Sequence, residues 1–305
     1  MHPKVPQNLY PFESHYLDRN GLKYHYLDEG SGDPVVMVHG NPSWSFLYRN
    51  VILALRGQYR TIAPDHIGCG FSDKPDDSRY AYRLERRIDD LEALLEHLGI
   101  VRDVTLVVHD WGGMIGLGWA ARHPERLRRL VVLNTSGFPL PSTKPLPWTL
   151  WLCRNTPIGA FLVRGFNAFS FGATYMAVNR RPLSPEVSRA FRAPYNSWAN
   201  RIATLRFVQD IPLKPGDPGY DIVSGVERSL ENYRKIPVMI CWGLQDFVFD
   251  HHFLEKWEQH LPEAEVHRYE DAGHYVLEDA GEEIIPLIQG FLSKHPLSPE
   301  RTGNG

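Results

Sequence analysis

The stretch VTLVVHDWGG, residues 104–113, places a short apolar run directly before an aspartate and two glycines. The run VTLVV predicts a strand that is buried on both faces of a sheet, and a helix is predicted to follow over residues 114–122. Asp110 therefore lies at the turn between strand and helix, where a side chain stands exposed above the edge of the sheet. Such a turn is crowded, and Gly112 and Gly113 provide the small residues that it needs.

Buried apolar runs and amphipathic segments alternate on both sides of this turn. Further strands are predicted at residues 34–39, 60–63, 130–133, 236–242 and 266–269, and helices at residues 45–55, 81–98, 252–260 and 281–292. The Asn20-Gly21 pair also predicts a β-hairpin within residues 15–29. Strands that alternate with helices are typical of parallel sheets, so we predict an α/β fold with a mostly parallel sheet flanked by helices.

The alternation stops between residues 138 and 228, which contain many prolines and aromatic residues, helical segments and no clear buried strand. We therefore predict a helical cap at 138–228, inserted into an α/β core formed by residues 1–137 and 229–305. Six aromatic residues of the cap are candidates either to line a pocket for apolar substrates or to form the core of the cap itself. They are Trp148, Trp151, Phe161, Phe166, Phe169 and Phe171.

Asp110 is the candidate nucleophile. A carboxylate is ionised at neutral pH, so it displaces a leaving group from saturated carbon without a base to activate it, and it forms an ester. Two residues depart from the usual Gly-x-Ser-x-Gly form of this turn, because Val108 replaces the first glycine and Asp110 replaces the serine. The alternative is that Asp110 only caps the helix that starts near Trp111.

Two residues that follow later strands are candidate partners of Asp110. Asp246 lies in the segment WGLQD and His274 in the segment DAGH, which gives the order nucleophile, acid, histidine. We predict that His274 is the general base that activates water against the ester, and that Asp246 orients its ring and stabilises the imidazolium. Asp250 is close enough along the chain to be an alternative to Asp246.

Asn41, in the HGNP segment after a buried strand, and Trp111 are the candidate anion ligands. Their backbone N–H groups are predicted to form an oxyanion hole. Their side chains add neutral donors, the indole N–H of Trp111 and the amide of Asn41, which suit a departing anion such as halide. The alternative is that Trp111 packs in the core and Asn41 only shapes a turn.

The composition is that of an ordinary globular protein, with 43% apolar and 23% charged residues and a formal net charge of −3. This overall charge gives no indication of nucleic acid or of an anionic membrane as a partner. No apolar run approaches the ~20 residues of a membrane span, and residues 1–16 lack the apolar core of a signal peptide. Three widely separated cysteines predict a cytoplasmic protein with reduced thiols, and the lack of metal-ligand spacing predicts no metal. Displacement by Asp110 and hydrolysis of its ester need no cofactor, so we predict none.

Five segments together resemble the haloalkane dehalogenase family. They are HGNPSWSF, DHIGCGFSDKP, VVHDWGGMIG, WGLQDFVFD and DAGHYVLED, and the resemblance extends over nearly the whole chain, including APYNSWANRIATLRFVQDIPL at residues 193–213. The resemblance implies the α/β-hydrolase fold with a helical cap. It also implies Asp110 as nucleophile and His274 as base, with Asn41 and Trp111 as the pair that holds the halide.

Asn134 places the chain more finely within that family. One large branch carries its acid as a glutamate after the strand that precedes the cap, and this position holds Asn134 in the segment LNTSG. The resemblance therefore implies that Asp246 is the acid, which is the pattern of the third subfamily. The same group contains the β-lactone decarboxylases of bacterial olefin biosynthesis, and the chain resembles those about as closely.

We place hydrolytic dehalogenation first, because the halide-holding pair is what the residues themselves support. The main alternative is decarboxylation of a long-chain cis-β-lactone to an alkene and CO2 at the same Asp110 site. Epoxide hydrolysis is a third interpretation, with Tyr175 and Tyr195 as candidate proton donors, although Asn41 argues against it. A hormone receptor or a light-emitting oxygenase is the alternative from another class. In the enzyme interpretations the partner is a small apolar molecule, and no oligomeric state is predicted.

Overall fold

Eight strands form one sheet in residues 5–297, the part of the chain that the computed structural model describes. The strands are β1 His15–Asp18, β2 Lys23–Glu29, β3 Pro34–Val38, β4 Arg60–Pro64, β5 Val104–Asp110, β6 Leu127–Thr135, β7 Val238–Gly243 and β8 Glu265–Tyr269. Their order across the sheet is β1-β2-β4-β3-β5-β6-β7-β8. The helices are α1 Arg49–Leu55, α2 Leu84–His97, α3 Trp111–Arg122, α4 Trp148–Asn155, α5 Pro157–Phe166, α6 Ala168–Met176, α7 Pro185–Arg192, α8 Ile202–Gln209, α9 Tyr220–Ser229, α10 His251–His260, α11 Val276–Asp279 and α12 Gly281–Lys294.

The sheet is mostly parallel, as the sequence predicts. Strand β2 runs antiparallel to β1 and to β4, while every other neighbouring pair is parallel. The β1–β2 hairpin turns at Asn20 and Gly21, which both have positive φ, at 59° and 78°. That is the backbone for which Asn-Gly pairs are selected. Because β5, β7 and β8 are parallel, the loops that follow them meet at one edge of the sheet.

Helices cover both faces of the sheet. One apolar cluster packs α2, α3 and α10 against one face through side chains such as Ile88, Ile115 and Phe253. A second cluster packs α1 and α12 against the opposite face through Ile52 and Ile288. Strand β5, at the centre, is buried over its whole length. This burial on both sides explains why the strand appears in the sequence as a continuous apolar run.

Only helices and loops occur between β6 and β7, where α4 to α9 follow one another along the chain. The expected division into a cap at 138–228 and a core at 1–137 and 229–305 stays a prediction. Within the described residues, no helix has the length and apolar character that crossing a membrane requires.

Candidate active site

Asp110 ends β5 in an uncommon backbone conformation, with φ 52° and ψ −126°, and α3 begins at the next residue. Positive φ is strained for an aspartate and requires support from the surrounding structure. A Cβ at Gly112 would lie 1.8 Å from the backbone oxygen of Val38, and one at Gly113 would lie 2.1 Å from Thr135 Oγ1. The two glycines therefore let α3 pack closely enough to hold the turn.

The Asp110 carboxylate is buried and receives backbone hydrogen bonds. The N–H of Asn41 donates to its Oδ1 at 2.5 Å, and the N–H of Trp111 also donates to this carboxylate. Trp111 is the first residue of α3, and the Asp110 side chain makes no N-cap hydrogen bond to the residues that follow it, which weakens the helix-cap alternative. The sequence predicts these two N–H groups as an oxyanion hole. In the structure they donate hydrogen bonds to the carboxylate of the candidate nucleophile.

His274 and Asp246 lie beside Asp110, as the sequence predicts. His274 Nε2 is 3.7 Å from Asp110 Oδ2, and His274 Nδ1 is 2.7 Å from Asp246 Oδ2. The ring of Phe249 stacks on His274 with centroids 5.8 Å apart. His109 Nε2 is 2.8 Å from the backbone oxygen of His274, and burial lowers the pKa of His109 to about 3, so this neutral ring donates its Nε2 hydrogen there. These contacts fix the imidazole of His274 between two carboxylates.

The charges of the three groups depend on one another. Burial alone would lower the pKa of His274, but the charge and hydrogen bond of Asp246 and the charge of Asp110 outweigh burial and raise it. Burial also opposes ionisation of Asp246, yet His274 holds the pKa of Asp246 below its usual range. For Asp110, burial is the largest effect and raises its pKa, against the charge of His274 and the two backbone donors. Asp246 and Asp110 therefore shift the titration of His274 towards the protonated form.

Asn134 positions one of the candidate site residues, Asp246, and the sequence did not predict this role. Its Nδ2 donates to Asp246 Oδ2 and to the backbone oxygen of Gly243, both at 3.0 Å, and its Oδ1 accepts the N–H of Gly243 at 2.8 Å. Sequence reasoning noted Asn134 only because it cannot act as an acid. In the structure it holds Asp246 in the loop after β7, and that contact joins residues 112 positions apart in the chain.

Asp250, the alternative to Asp246, has a different role. It accepts the N–H of His252 as the N-cap of α10 and lies 2.5 Å from Lys144 Nζ. Among the described residues, Asp250, His251 and His252 also form a group whose possible metal-ligating atoms lie within 4.8 Å of one another. The Lys144 ammonium already neutralises Asp250, so helix capping and ion pairing account for this residue.

A cavity of about 350 Å³ opens above Asp110. Asn41, Trp111 and His274 line it near Asp110, and the rest of its wall consists mainly of apolar side chains from α4, α6 and the neighbouring loops. Asn41 Nδ2 also donates to the backbone oxygen of Thr204 in α8 at 3.1 Å. Asn41 and Trp111 therefore both line the cavity, and Asn41 also connects its wall to α8.

The aromatic residues of the predicted cap divide into two groups. Trp148 and Phe169 line the cavity. The other four, Trp151, Phe161, Phe166 and Phe171, are exposed at the surface, so they form neither the pocket wall nor a core. For these four, both sequence-based alternatives were wrong, because helical periodicity shows which residues share a face but not what that face meets.

Neither tyrosine of the epoxide-hydrolase interpretation lines the cavity. Tyr175 is exposed on the outside of α6, while Tyr195 is buried and donates to the backbone oxygen of Ser43 at 3.3 Å. A proton donor to an epoxide oxygen has to lie within hydrogen-bond reach of the substrate. The positions of both tyrosines therefore count against epoxide hydrolysis.

Comparison with known proteins agrees with this fold and places the chain in a family. The family model described as the alpha/beta hydrolase fold matches residues 33–281, and the chain belongs to that family. The chain is 63% identical to the cis-3-alkyl-4-alkyloxetan-2-one decarboxylase of Shewanella oneidensis, with 94% of this chain and 90% of that protein covered. It is 49% identical to the decarboxylase of the same name from Xanthomonas campestris, with 94% and 98% covered.

Haloalkane dehalogenases are related more distantly. That of Mycolicibacterium paratuberculosis is 36% identical, with 92% of each chain covered. Among solved structures, a haloalkane dehalogenase of Agrobacterium tumefaciens C58 superposes with a TM-score of 0.83 at 27% identity, covering 93% of this chain and 97% of that chain. The resemblance to the dehalogenase family is thus confirmed, and the similarity to the decarboxylases is greater.

Proposed function

We propose that this protein decarboxylates cis-3-alkyl-4-alkyloxetan-2-ones, which are β-lactones with two alkyl chains, to the corresponding alkene and CO2. The observation that carries the proposal is the 63% identity, over 94% of the chain, to a decarboxylase of that name. This similarity favours the alternative over hydrolytic dehalogenation, which the sequence alone placed first. Dehalogenation remains the second candidate, because Asn41 and Trp111 face the cavity next to Asp110.

Asp110 attacks the ring carbon C4 of the lactone in this proposal. Both backbone donors next to the site, the N–H groups of Asn41 and Trp111, already bind the Asp110 carboxylate and are not free for a lactone carbonyl. That occupancy supports displacement at saturated C4 over addition to the carbonyl carbon. The bond from Asp110 oxygen to C4 forms, the bond from C4 to the ring oxygen breaks, and the lactone becomes an ester of Asp110 that carries a free carboxylate on C3.

The second step is a fragmentation that needs no water. The C2–C3 bond breaks and its electron pair forms the C3=C4 double bond, while the C4–O bond to Asp110 breaks and returns the carboxylate. CO2 leaves, so atoms and electrons balance without a cofactor or a proton donor. Inversion at C4 followed by anti fragmentation converts a cis-lactone into a cis-alkene.

In this scheme, the charges of His274 and Asp246 assist the departure of the Asp110 carboxylate. The contacts that raise the pKa of His274 favour an imidazolium next to Asp110, which stabilises the Asp110 carboxylate when it departs. An imidazolium has no free lone pair to activate water, so hydrolysis of the ester is suppressed. Asp246 keeps the ring oriented and protonated. The amide of Asn41 and the indole of Trp111 are the proposed donors to the carboxylate freed from the ring.

The remaining expectations fit this proposal. The apolar wall of the cavity suits two alkyl chains. We propose that residues 138–228 act as the cap that encloses them. The described cysteines are free thiols, which agrees with the cytoplasmic location that we propose.

The test supplies the purified protein with a cis-3,4-dialkyl β-lactone and, separately, with a panel of bromoalkanes, and uses Asp110→Ala as the blank. We expect cis-alkene from the lactone, detected by gas chromatography, at a rate that the variant lowers by at least about 10⁴-fold. Bromide release without alkene formation would establish dehalogenation instead. A folded wild-type protein that produces neither would contradict both candidates.

A further inference from the structure

An apolar surface covers the outside of α4, α5 and α6. Each helix carries two large apolar side chains, three or four positions apart, that share one exposed face. We call this surface the outer cap face; it comprises Trp148, Trp151, Ile158, Phe161, Phe171 and Tyr175, together with Phe166, whose ring centre lies 5.6 Å from that of Phe161. Exposed apolar surface concentrated in this way marks a place where a protein meets another phase or partner.

The outer cap face continues into the cavity that contains Asp110. Trp148 is 75% exposed and Met176 is 54% exposed, yet both side chains also line that cavity. These two residues therefore lie at its mouth. Whatever covers the outer cap face also covers the entrance to the candidate active site.

The same region is strongly cationic. Residues 145–206 contain eight arginines and one glutamate, a net charge of +7, although the whole chain has a net charge of −3. Four of these arginines pair with carboxylates outside this range, namely Arg154, Arg180, Arg181 and Arg206. The cationic excess therefore rests on the other four, Arg164, Arg189, Arg192 and Arg201. Several arginines lie against aromatic rings, with Arg192 4.0 Å from the ring centre of Phe171 and Arg164 4.6 Å from that of Trp198. Arg189 lines the same surface hollow as Phe171. The overall charge conceals this local excess because the remainder of the chain is acidic.

We propose that the outer cap face docks on an anionic lipid bilayer. Aromatic side chains with cationic neighbours are the composition of surfaces that lie in the membrane interface, where rings enter the acyl boundary and guanidinium groups meet lipid phosphates. A second copy of this chain is disfavoured as the occupant, because pairing would bring two surfaces of the same charge together. Docking places the cavity mouth against the acyl layer.

The bilayer then delivers the substrate. A lactone with two alkyl chains partitions into lipid, so an enzyme whose cavity opens towards the acyl layer receives it without a passage through water. This delivery role rests on the proposed function. The docking surface does not, because its apolar and cationic character is independent of which reaction Asp110 performs.

The test measures flotation of the full-length protein with vesicles of pure phosphatidylcholine and with vesicles that contain one third phosphatidylglycerol. We expect binding to the anionic vesicles, several-fold weaker binding to the neutral ones, and loss of binding as salt is raised. No substrate is present, so a failure of the proposed reaction does not affect this result.

Matched variants locate the surface. Ile158→Ser with Phe166→Ser, and separately Arg189→Glu, are each expected to weaken binding to anionic vesicles by about tenfold or more. These side chains are exposed and lie outside the cavity wall, so turnover of a short-chain, dispersed lactone should be unchanged. Val101→Ser and Arg128→Glu are the controls, because both residues are exposed outside residues 145–206.

Three outcomes would overturn the proposal. The first is that no vesicle binds. The second is equal binding by the variants and the controls. The third is that Ile158→Ser with Phe166→Ser converts an oligomer to a monomer without changing lipid binding, which would identify the occupant as a second copy of the chain.

Discussion

Asp110 combines burial with backbone hydrogen bonds, and the balance sets its reactivity. Burial raises its pKa, while the N–H groups of Asn41 and Trp111 stabilise the charged form. A buried carboxylate is not hydrated, and hydration would lower its nucleophilicity. The N–H of Asn41 binds Oδ1, while Oδ2 lies on the side of His274. A serine at the same turn would require a neutral His274 as base, so the aspartate makes a protonated His274 useful.

The pH dependence of lactone turnover follows from these shifts. In the proposed mechanism, activity needs an ionised Asp110, so it should fall at low pH with an apparent pKa above the usual value of about 3.9. It also needs a protonated His274, so it should persist below pH about 6.5 and fall as the pH rises through the raised pKa of His274. The measurement is kcat/KM between roughly pH 4 and 10, a range that spans the titration of both groups.

Asp246→Asn provides the control for that profile. Removing the Asp246 charge should move the high-pH fall to lower pH, because this charge is the main contribution that raises the pKa of His274. The raised pKa also contributes stability that is complete below pH about 6.5 and is lost as the pH rises through it. A rate that increases steadily with pH would instead indicate a neutral His274 acting as base.

Asn134→Ala tests the contact that holds Asp246. The change leaves the buried N–H of Gly243 and one side of Asp246 without a partner, so it should cost about 1–3 kcal/mol of unfolding free energy. It should lower kcat by about 10- to 100-fold with little change in KM, because Asn134 does not line the cavity. Asn179→Ala, at an exposed asparagine, is the control. A KM effect as large as the kcat effect would contradict this positioning role.

At the scale of elements, most strands were predictable from their apolar runs, and β6 shows where such runs fail. The run at 130–133 predicts only part of the strand, which begins at Leu127. Arg128 and Arg129 interrupt the pattern, but Arg129 is buried, with Nε 2.8 Å from Thr105 Oγ1 and Nη1 2.9 Å from the backbone oxygen of His295. Only the tertiary structure reveals partners that make a buried guanidinium tolerable.

The packing of α3 against β3 gives a prediction at the same scale. Gly112→Ala places a Cβ 1.8 Å from the backbone oxygen of Val38, so it should destabilise the protein by about 1–3 kcal/mol or more. Gly290→Ala, inside α12 and with nothing within 4 Å of the added carbon, should stabilise it by about 0.5–1 kcal/mol. Urea unfolding measures both. Equal effects would show that close packing does not hold the Asp110 turn.

At the scale of the whole molecule, the position of the site was predictable and its substrate was not. Parallel strands bring the loops after β5, β7 and β8 to one edge of the sheet, so Asp110, Asp246 and His274 had to lie close together. The same residues fit both candidate substrates, a haloalkane and a β-lactone, because each proposed reaction begins with displacement at saturated carbon. Sequence identity over the whole chain favours the lactone, because it is higher to the decarboxylases than to the dehalogenases.

The net charge and the aromatic content of long stretches of sequence did not predict the local character of the surface. The net charge of −3 gave no reason to expect an anionic membrane, whereas residues 145–206 contain eight arginines and one glutamate, and only four of these arginines pair with carboxylates elsewhere in the chain. Likewise, the aromatic content of the predicted cap indicated a core or a pocket, and the structure places Phe161 and Phe166 at the surface. Which faces of these helices are exposed depends on tertiary packing, so the sequence alone did not predict this surface.

The most direct test of the central claim follows oxygen in Asp110 during turnover of a cis-lactone in H₂¹⁸O. After many turnovers, the mass of the peptide that contains Asp110 is measured, with a bromoalkane reaction in the same water for comparison. Fragmentation returns both original oxygens to Asp110, so we predict cis-alkene and no ¹⁸O in its carboxylate. Uptake of ¹⁸O into Asp110 during lactone turnover would show that water cleaves the ester, and it would contradict the account.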